Sequence, residues 1–368
     1  MAAVEAFLPA WRRLDSQRCG SHDYFQTSEW CMAWLEHHAT TRIQPRVFVA
    51  SEAGRPAAVW PLMLEARRFG PRILRNLGAP HTQYAGLLVR EGADAGAAAA
   101  ALCEEVLSGG HADLAVIDML PRSSALGRAL GERHDGSTPG SEASILDLTC
   151  FADSEAYLAS LGKTQRRNRN RRRNQLARSG EIGFRVLRPA DPDFASGIAQ
   201  CLRFKQSWLE HTGRISLGLS MPGHAQFLAR LGSSAILFEL SAGGMPVALE
   251  LGFLRNRHYY AYIGGFDWAL RECSPGKIQM DMTVCWLIDN GAHAYDLLAN
   301  PSDYKDSWSN TTLKLANHEV GLTAAGSLCA RLWYSTSRPA LKKLMLSLPP
   351  SYRTGIRGAL SQALTLLA

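Results

Sequence analysis

The stretch from Pro246 to Trp308 constrains this chain most, because it reads as one fixed series of elements. Val247, Leu249, Leu251 and Phe253 alternate with Ala248, Glu250 and Gly252, the period of a strand. Arg255-Asn256 is a short polar turn, and His258 to Ile263 is a second strand rich in tyrosine. Ser274-Pro275-Gly276 then opens a helix. Ser274 suits the N-cap, and Pro275 suits the first helical position, where no backbone N–H is needed. Ile278, Met282, Cys285 and Trp286 recur at helical spacing, and Asn290-Gly291 closes the helix. Tyr295 to Leu298 is a short buried strand, followed by the loop Asp303-Tyr304-Lys305-Asp306-Ser307-Trp308.

A strand feeding a helix with a small-residue first turn makes an anion site. The first N–H groups have no intrahelical partner, and the helix dipole favours negative charge there. Ser274 and Gly276 supply that turn, and Lys277 adds a positive charge. Two readings stand: a pyrophosphate cradle, or an ordinarily capped helix packed on a sheet.

Between Lys163 and Arg178 lie eight basic residues: Lys163, Arg166, Arg167, Arg169, Arg171, Arg172, Arg173 and Arg178. No acid offsets them, and Gly180 ends the run. On a helix, Arg166, Arg169, Asn170 and Arg173 share a face. The run reads as a solvated basic face, as a contact for a phosphate-bearing ligand, or as a nucleic-acid or lipid contact. No aromatic residue interleaves it, which argues against a platform for stacking single-stranded bases.

Around these features the chain reads as mixed α/β. Phe25 to His38 is an amphipathic helix capped by Ser28. Arg46–Ala50, Ala57–Glu65, Ile73–Leu77, Gly86–Val89 and Leu114–Met119 are strands, and Ala95–Leu107 is a helix. Gly131–Ser141 is a polar loop or boundary, and Ile145–Leu148 is a strand entering a second unit. Ile182–Leu187 is a strand, Phe194–His211 and Met221–Leu231 are helices, and Ala235–Leu240 is a strand. Ser241-Ala242-Gly243-Gly244 turns into the organising stretch. Leu322–Leu348 and Ser351–Leu367 are helical with basic and apolar stripes. The organisation expected is 1–144, 145–320 and a basic tail, 321–368. The tail reads as packed on the core, or as a helix for a membrane surface or a partner.

The net charge of +7 favours anionic partners. The eight cysteines show no metal spacing. No apolar run reaches a membrane span, and Met1 to Pro9 lacks a basic leader region, so a cytoplasmic chain with reduced thiols is expected. Walker loop, nucleophile elbow and His-Glu-x-x-His are missing from the sequence, which disfavours other enzyme classes, and His258 and His293 lack ligand spacing, so no catalytic metal is expected.

The block Gly244-Met245-Pro246-Val247-Ala248-Leu249-Glu250-Leu251-Gly252, with Tyr260-Ala261-Tyr262-Ile263-Gly264-Gly265-Phe266-Asp267, carries a family resemblance. So do Ser274-Pro275-Gly276, Tyr295-Asp296-Leu297-Leu298, Tyr304-Lys305 and Trp308. Together they resemble the GNAT superfamily of acyltransferases, in its CelD-like branch linked to polysaccharide biosynthesis. The loop before the helix carries fewer glycines than the usual GNAT phosphate loop. Phe25-Gln26-Thr27-Ser28-Glu29-Trp30, Trp60-Pro61-Leu62 and Leu77-Gly78 resemble the opening half of the same family. The resemblance implies two GNAT-like units, as in Fem-type transferases, each a mostly antiparallel mixed sheet flanked by helices.

What the resemblance implies chemically is N-acylation: acetyl-CoA or a longer acyl-CoA as co-substrate and an amine as acceptor, for instance an amino sugar. Such a site needs an anion cradle, a base for the amine proton and an acid for the thiolate. Glu250, within an apolar strand, is the base candidate, with a salt bridge to an arginine as its other reading. Tyr260, Tyr262 and Tyr304 are acid candidates, each also readable as packing. Asp296 lies at a strand end, where α/β ligands bind. Ser274, Gly276, Lys277, Arg166, Arg169 and Lys305 are the candidate contacts for the co-substrate. The rival readings are a Fem-like transferase using aminoacyl-tRNA, in which the arginine helix tracks RNA, and a non-enzymatic nucleic-acid or membrane adaptor. Nucleic acid ranks below a small nucleotide ligand.

Overall fold

The structure is a computed structural model. It describes the chain from Ala2 to Ala340, apart from residues 18–21, 67–69, 135–136, 215, 217, 301 and 339. The chain divides into two units. The first is Met1–Ala143 with Ala299–Pro301 and Leu313–Leu348, as far as these are described. The second is Ser144–Leu298 with Ser302–Thr312.

The first unit starts with α1 (Ala2–Asp15) and α2 (Ser28–His38). Thr27, not Ser28, caps α2: its Oγ1 accepts from Trp30 N, while the Ser28 hydroxyl donates to Asp15. Then come β1 (Ile43–Glu52), β2 (Arg55–Glu65), β3 (Ile73–Asn76), β4 (Leu88–Val89), α3 (Ala95–Ser108), β5 (Leu114–Pro121) and α4 (Ala125–Arg133). β12 (Thr311–Gly321) closes the unit's sheet in the order β1-β2-β3-β5-β12, with β4 on β2. Trp60, Leu62 and Ile117 from the strands pack with Leu102 and Val106 of α3 and Leu130 of α4.

Residues 131–141, expected as a loop or boundary, finish α4 and begin β6 (Ser137–Asp147), shortly before the division at Ala143/Ser144. Past β12, α11 (Ala324–Cys329) and a π-helical stretch (Ala330–Ser337) belong to the first unit, where Ala330 and Tyr334 cover Ile73 and Leu114. The rest of the expected tail, 341–368, lies outside the described residues.

The second unit carries α5 (Ser154–Ser160), α6 (Lys163–Leu176), β7 (Ile182–Leu187), α7 (Phe194–Thr212), α8 (His224–Ala229), β8 (Ala235–Ala242), β9 (Met245–Arg255), β10 (His258–Phe266), α9 (Pro275–Asp289), β11 (Ala294–Ala299) and the single turn α10 (Asp303–Asp306). The arginine run is indeed a helix, α6. The sheet is open and mixed, in the order β6-β11-β10-β9-β8-β7. β7, β8, β9 and β10 pair antiparallel, and β10 pairs parallel with β11. Gly243 and Gly244 both have positive φ, the backbone of a two-residue hairpin turn.

The period-two pattern of β8 and β9 sorts side chains between α7 and α9. Leu237 and Leu249 lie against Gly197 of α7. Phe238 and Tyr259 join Met280, Val284 and Leu287 of α9 in one apolar cluster. α7 approaches β10 closely at Gly265, where a Cβ would come within 2.9 Å of the Lys205 backbone nitrogen. Among the described residues no helix is long and apolar enough to cross a membrane.

Candidate active site

The parallel pairing of β10 with β11 covers only His258–Tyr260 against Ala294–Asp296. Tyr262 is the extra residue of a bulge in β10, after which β10 continues to Phe266 paired with β9. A bulge bends a strand and raises its twist. The two parallel strands therefore part at their C-terminal ends, and α9 begins beside that opening.

Glu250 sits in β9 at the root of this opening, buried, on the α9 side of the sheet. Tyr295 Oη donates to its Oε2 at 2.8 Å, and Tyr259 Oη donates to its Oε1 at 3.2 Å. Gln279 of α9 is a third donor, itself held by a bond to Thr283 Oγ1 at 2.6 Å. Burial pushes the Glu250 carboxyl up to about 7, against the downward pull of these donors. Among the described residues no arginine bridges it, so the salt-bridge reading does not describe this side chain there. Its environment is a hydrogen-bonded pocket in which burial outweighs the donors and raises its pKa out of the ordinary carboxylate range.

Tyr259 reaches Glu250 because residue 252 is glycine. A Cβ at Gly252 would overlap the end of the Tyr259 ring. Gly252→Ala is expected to turn Tyr259 away and leave Tyr295 in place. Losing a donor to the charged form raises the Glu250 pKa further. The acidic limb of a pH–rate profile should therefore move to higher pH, and an unmoved limb would show that Tyr259 does not tune the carboxyl.

The other candidates fall into distinct places. Tyr304 is 46% exposed, and its phenol pKa is raised by partial burial and by the Glu250 charge. Lys305 Nζ donates to Leu298 O at 3.1 Å, and burial lowers its pKa to about 8. Asp296 offsets that shift, and Lys205 adds to it. Asp296 itself is fully buried; its Oδ1 accepts from Leu298 N and its Oδ2 pairs with His258 Nε2 at 3.0 Å. Those bonds occupy both oxygens, so its carboxylate shapes the end of β11. Tyr262 packs its ring on Phe253, centroids 5.2 Å apart, and the phenols on Glu250 are Tyr259 and Tyr295 instead. Tyr260 packs on His258.

On the α7 side, Lys205 Nζ stands 4.2 Å from the Trp208 ring centroid, with the Arg214 guanidinium 5.1 Å from the same ring. Burial lowers the Lys205 pKa, and Arg214 lowers it further. Sequence reasoning did not single out this cation–aromatic group, since its members lie in α7 and the following loop, away from the family motifs.

Ser274 stands at the N-cap position of α9 in a left-handed conformation (φ 51°), and its side chain makes no capping bond. The expected hydroxyl cap is therefore not formed. Lys277, in the first turn, has its pKa lowered by burial and by Arg172. Arg169 does not stand free to meet a ligand: its Nε donates to the buried Asp281 of α9. Arg166 is exposed. The α6 residues that meet α9 around a pocket are Gln165, Asn168, Arg169, Arg172 and Arg173.

Residues 163–306 match the sequence profile described as an acetyltransferase (GNAT) domain. The second unit has a GNAT-domain fold. No curated protein sequence matches the chain. Among solved structures, FemX is 14% identical, with 89% of this chain and 98% of FemX covered at a TM-score of 0.61. The C-terminal DUF2156 domain assigned to a lysylphosphatidylglycerol synthetase from Agrobacterium fabrum is 16% identical, covering 88% of this chain and 94% of that one, TM-score 0.57. A conserved protein of unknown function from Bacteroides thetaiotaomicron VPI-5482 is 12% identical, covering 85% and 97%, TM-score 0.52. At these identities the likeness is one of fold.

Proposed function

We propose that this protein is an N-acyltransferase that moves an acyl group, with acetyl the simplest case, from acyl-CoA to an amine. The observation that carries this reading is Glu250: a buried carboxyl with a pKa of about 7, at the root of the opening between β10 and β11 and beside the start of α9. The match of 163–306 to a GNAT domain supports it.

In this reading the unpaired edges of β10 and β11 receive the acyl-pantetheine arm. The first turn of α9, with Gly276 and Lys277, receives the pyrophosphate. The amine nitrogen attacks the thioester carbonyl carbon, and the C–S bond breaks. Glu250 takes the amine proton, directly or through one water. The departing thiolate takes a proton from Tyr304, an exposed phenol that feels the charge of that carboxylate, or from Lys305, whose pKa of about 8 suits an acid at neutral pH. The acceptor class that the CelD-like resemblance suggests is an amino sugar of an envelope polysaccharide. The proposed compartment is the cytoplasm, where acyl-CoA is available.

A second reading rests on the outer face of α6. Lys163, Arg166, Arg167 and Arg171 are exposed there, a charged stripe that suits a polyanion. Under it the donor is an aminoacyl ester on tRNA, as in the Fem-type alternative.

Gly276→Asp tests the cradle. Aspartate is tolerated in a first helical turn, so the variant should fold, and its Cβ meets Phe266 at an ordinary 3.4 Å. Negative charge at an anion site costs on the order of 1–2 kcal/mol, so CoA affinity measured by calorimetry should fall about 5- to 30-fold. Unchanged affinity would remove the α9 cradle from this reading. A wild-type protein that transfers no acyl group from acetyl-CoA or longer acyl-CoA, but does so from aminoacyl-tRNA, would replace the first reading by the second.

A further inference from the structure

Asp296 is the last residue at which β11 pairs with β10. The alternation that turns Tyr259 and Tyr295 toward Glu250 turns His258 and Asp296 to the opposite face. Asp296 is fully buried there, with His258 Nε2 3.0 Å from its Oδ2. Two residues on, Leu298 is left-handed, at φ 62°. A leucine seldom takes that conformation, because its Cβ crowds the backbone. Such an outlier persists only where its surroundings hold it, and it gathers at functional sites. Here the hold is a carboxylate bonded to the amide two residues on: Leu298 N donates to Asp296 Oδ1 at 2.8 Å. Leu298 is itself buried, so the core encloses the turned backbone.

The carbonyl of the same leucine accepts from Lys305 Nζ at 3.1 Å. A chain of contacts therefore runs from His258 through Asp296 and Leu298 to the Lys305 ammonium. Charge acts along the same line. Burial lowers the Lys305 pKa to about 8; Asp296 raises it, Lys205 of α7 lowers it and Asp306 of α10 raises it. Of the two acids, Asp306 is exposed and accepts from Ser144 Oγ at 3.2 Å. Asp296 is the buried one, and it alone of the two also holds Leu298 N.

We propose that Asp296 is a positioning residue for acid catalysis: it keeps Leu298 turned, so that Lys305 stands fixed and charged where the departing thiolate needs a proton. The proposal rests on the acyl-transfer reading above and chooses Lys305 over Tyr304 as its acid. The step moves one proton from Nζ to the sulfur and leaves a neutral amine, which solvent reprotonates. Base and acid then serve the opening from opposite faces of the sheet, Glu250 from the side of α9 and Lys305 from the side of Asp296 and Lys205.

The test sets pH–rate profiles of acyl transfer beside a side-chain NMR titration of Lys305, assigned through Lys305→Ala. In wild type the rate should fall as pH rises through about 8, and Lys305 should titrate there. Asp296→Asn keeps an oxygen for Leu298 N and removes the charge. Its basic limb should lie at lower pH, with kcat about fivefold below wild type near the wild-type Lys305 pKa of about 8, KM for acyl-CoA unchanged and the Lys305 titration displaced with it. Asp296→Ala also removes the hold and should lower kcat by about a further tenfold, at every pH. In Lys305→Ala the basic limb should vanish, and adding Asp296→Asn should change nothing more.

Equal losses from Asp296→Asn with and without Lys305 would overturn the proposal, because the aspartate would then act elsewhere. An unmoved basic limb in folded Asp296→Asn would do the same. Should Asp296→Asn not fold, His258→Ala frees the other carboxylate oxygen. It should lower kcat about fivefold when Lys305 is present and leave the rate of Lys305→Ala unchanged, and an equal loss in both would overturn the proposal. The two readings fail separately. A Lys305 titration that Asp296→Asn displaces, in a protein that transfers no acyl group from any acyl-CoA, would sink the acyl-transfer reading and leave the hold on Lys305 standing. Acyl transfer whose basic limb ignores both Asp296→Asn and Lys305→Ala would sink this proposal alone.

Discussion

Glu250→Gln is expected to lower kcat by about 10²- to 10⁴-fold, with acyl-CoA affinity nearly unchanged. An amine acceptor is protonated at neutral pH, and some group must take its proton. Glu250 is held near pH 7 by burial, with Tyr295, Tyr259 and Gln279 donating to it. The base form is the carboxylate, so the wild-type rate should rise with pH through about 7. Glutamine keeps size and hydrogen bonding but cannot titrate, so that limb should vanish. Stability supplies an independent check. The folded pKa lies above the ordinary 4.5, so the native state holds a proton that the unfolded chain has released between these values. That contribution is fully present below pH 4.5 and is lost as pH rises through about 7. The wild-type Tm should fall across this window relative to the glutamine variant. A variant that keeps half its activity would move the base elsewhere. A variant with reduced activity but an unaltered limb would make Glu250 a structural acceptor of two phenols.

What the sequence made legible follows from what periodicity can carry. Alternation in Val247–Phe253 placed Glu250 on the face opposite Leu249, and the structure has it there, on the α9 side. Alternation says which face a side chain takes. It does not say which hydroxyl arrives from another strand, so Tyr259 and Tyr295 were not read as the partners of Glu250. The same limit hid the Asp296–His258 pair, whose members lie in adjacent parallel strands separated by a whole helix in sequence. Ser-Pro-Gly announced the start of α9, since Pro275 fits the first helical position wherever a helix begins. It could not announce that Ser274 is left-handed with an unused hydroxyl. In α6 the arginines are so dense that every face is basic, and helical spacing alone could not choose among them. The choice is made by α9, whose Asp281 selects Arg169 and whose Lys277 stands beside Arg172. Sequence reading set Arg166 and Arg169 as ligand contacts. Packing also turns Arg172 and Arg173 toward α9, where they line a pocket with Arg169, and Trp308 is seen beside them only once the loop is placed against α6.

The other large expected effect belongs to that selecting residue. Asp281→Ala should destabilise the second unit by about 3 kcal/mol or more, because it strands a partly buried arginine next to three further cations. Asp281 is buried in α9, and Arg169, Arg173 and Arg172 all act on its carboxylate. Removing Arg169 as well takes away the stranded charge. The double variant Arg169→Ala/Asp281→Ala should therefore be less destabilised than the sum of the two single variants, a coupling readable from urea unfolding. Additive losses would mean that the ion pair carries no energy of its own. Anion affinity should move the other way. With Asp281 gone, Arg169 can turn to the pocket between α6 and α9 and the one carboxylate among its described lining residues disappears, so pyrophosphate should bind the alanine variant more tightly than wild type under conditions where both are folded. Weaker pyrophosphate binding in a folded variant would show that Asp281 organises the arginines for the ligand rather than competing with it. Stability and affinity pulling in opposite directions is the result expected of an acid that neutralises part of an anion site while that site is empty.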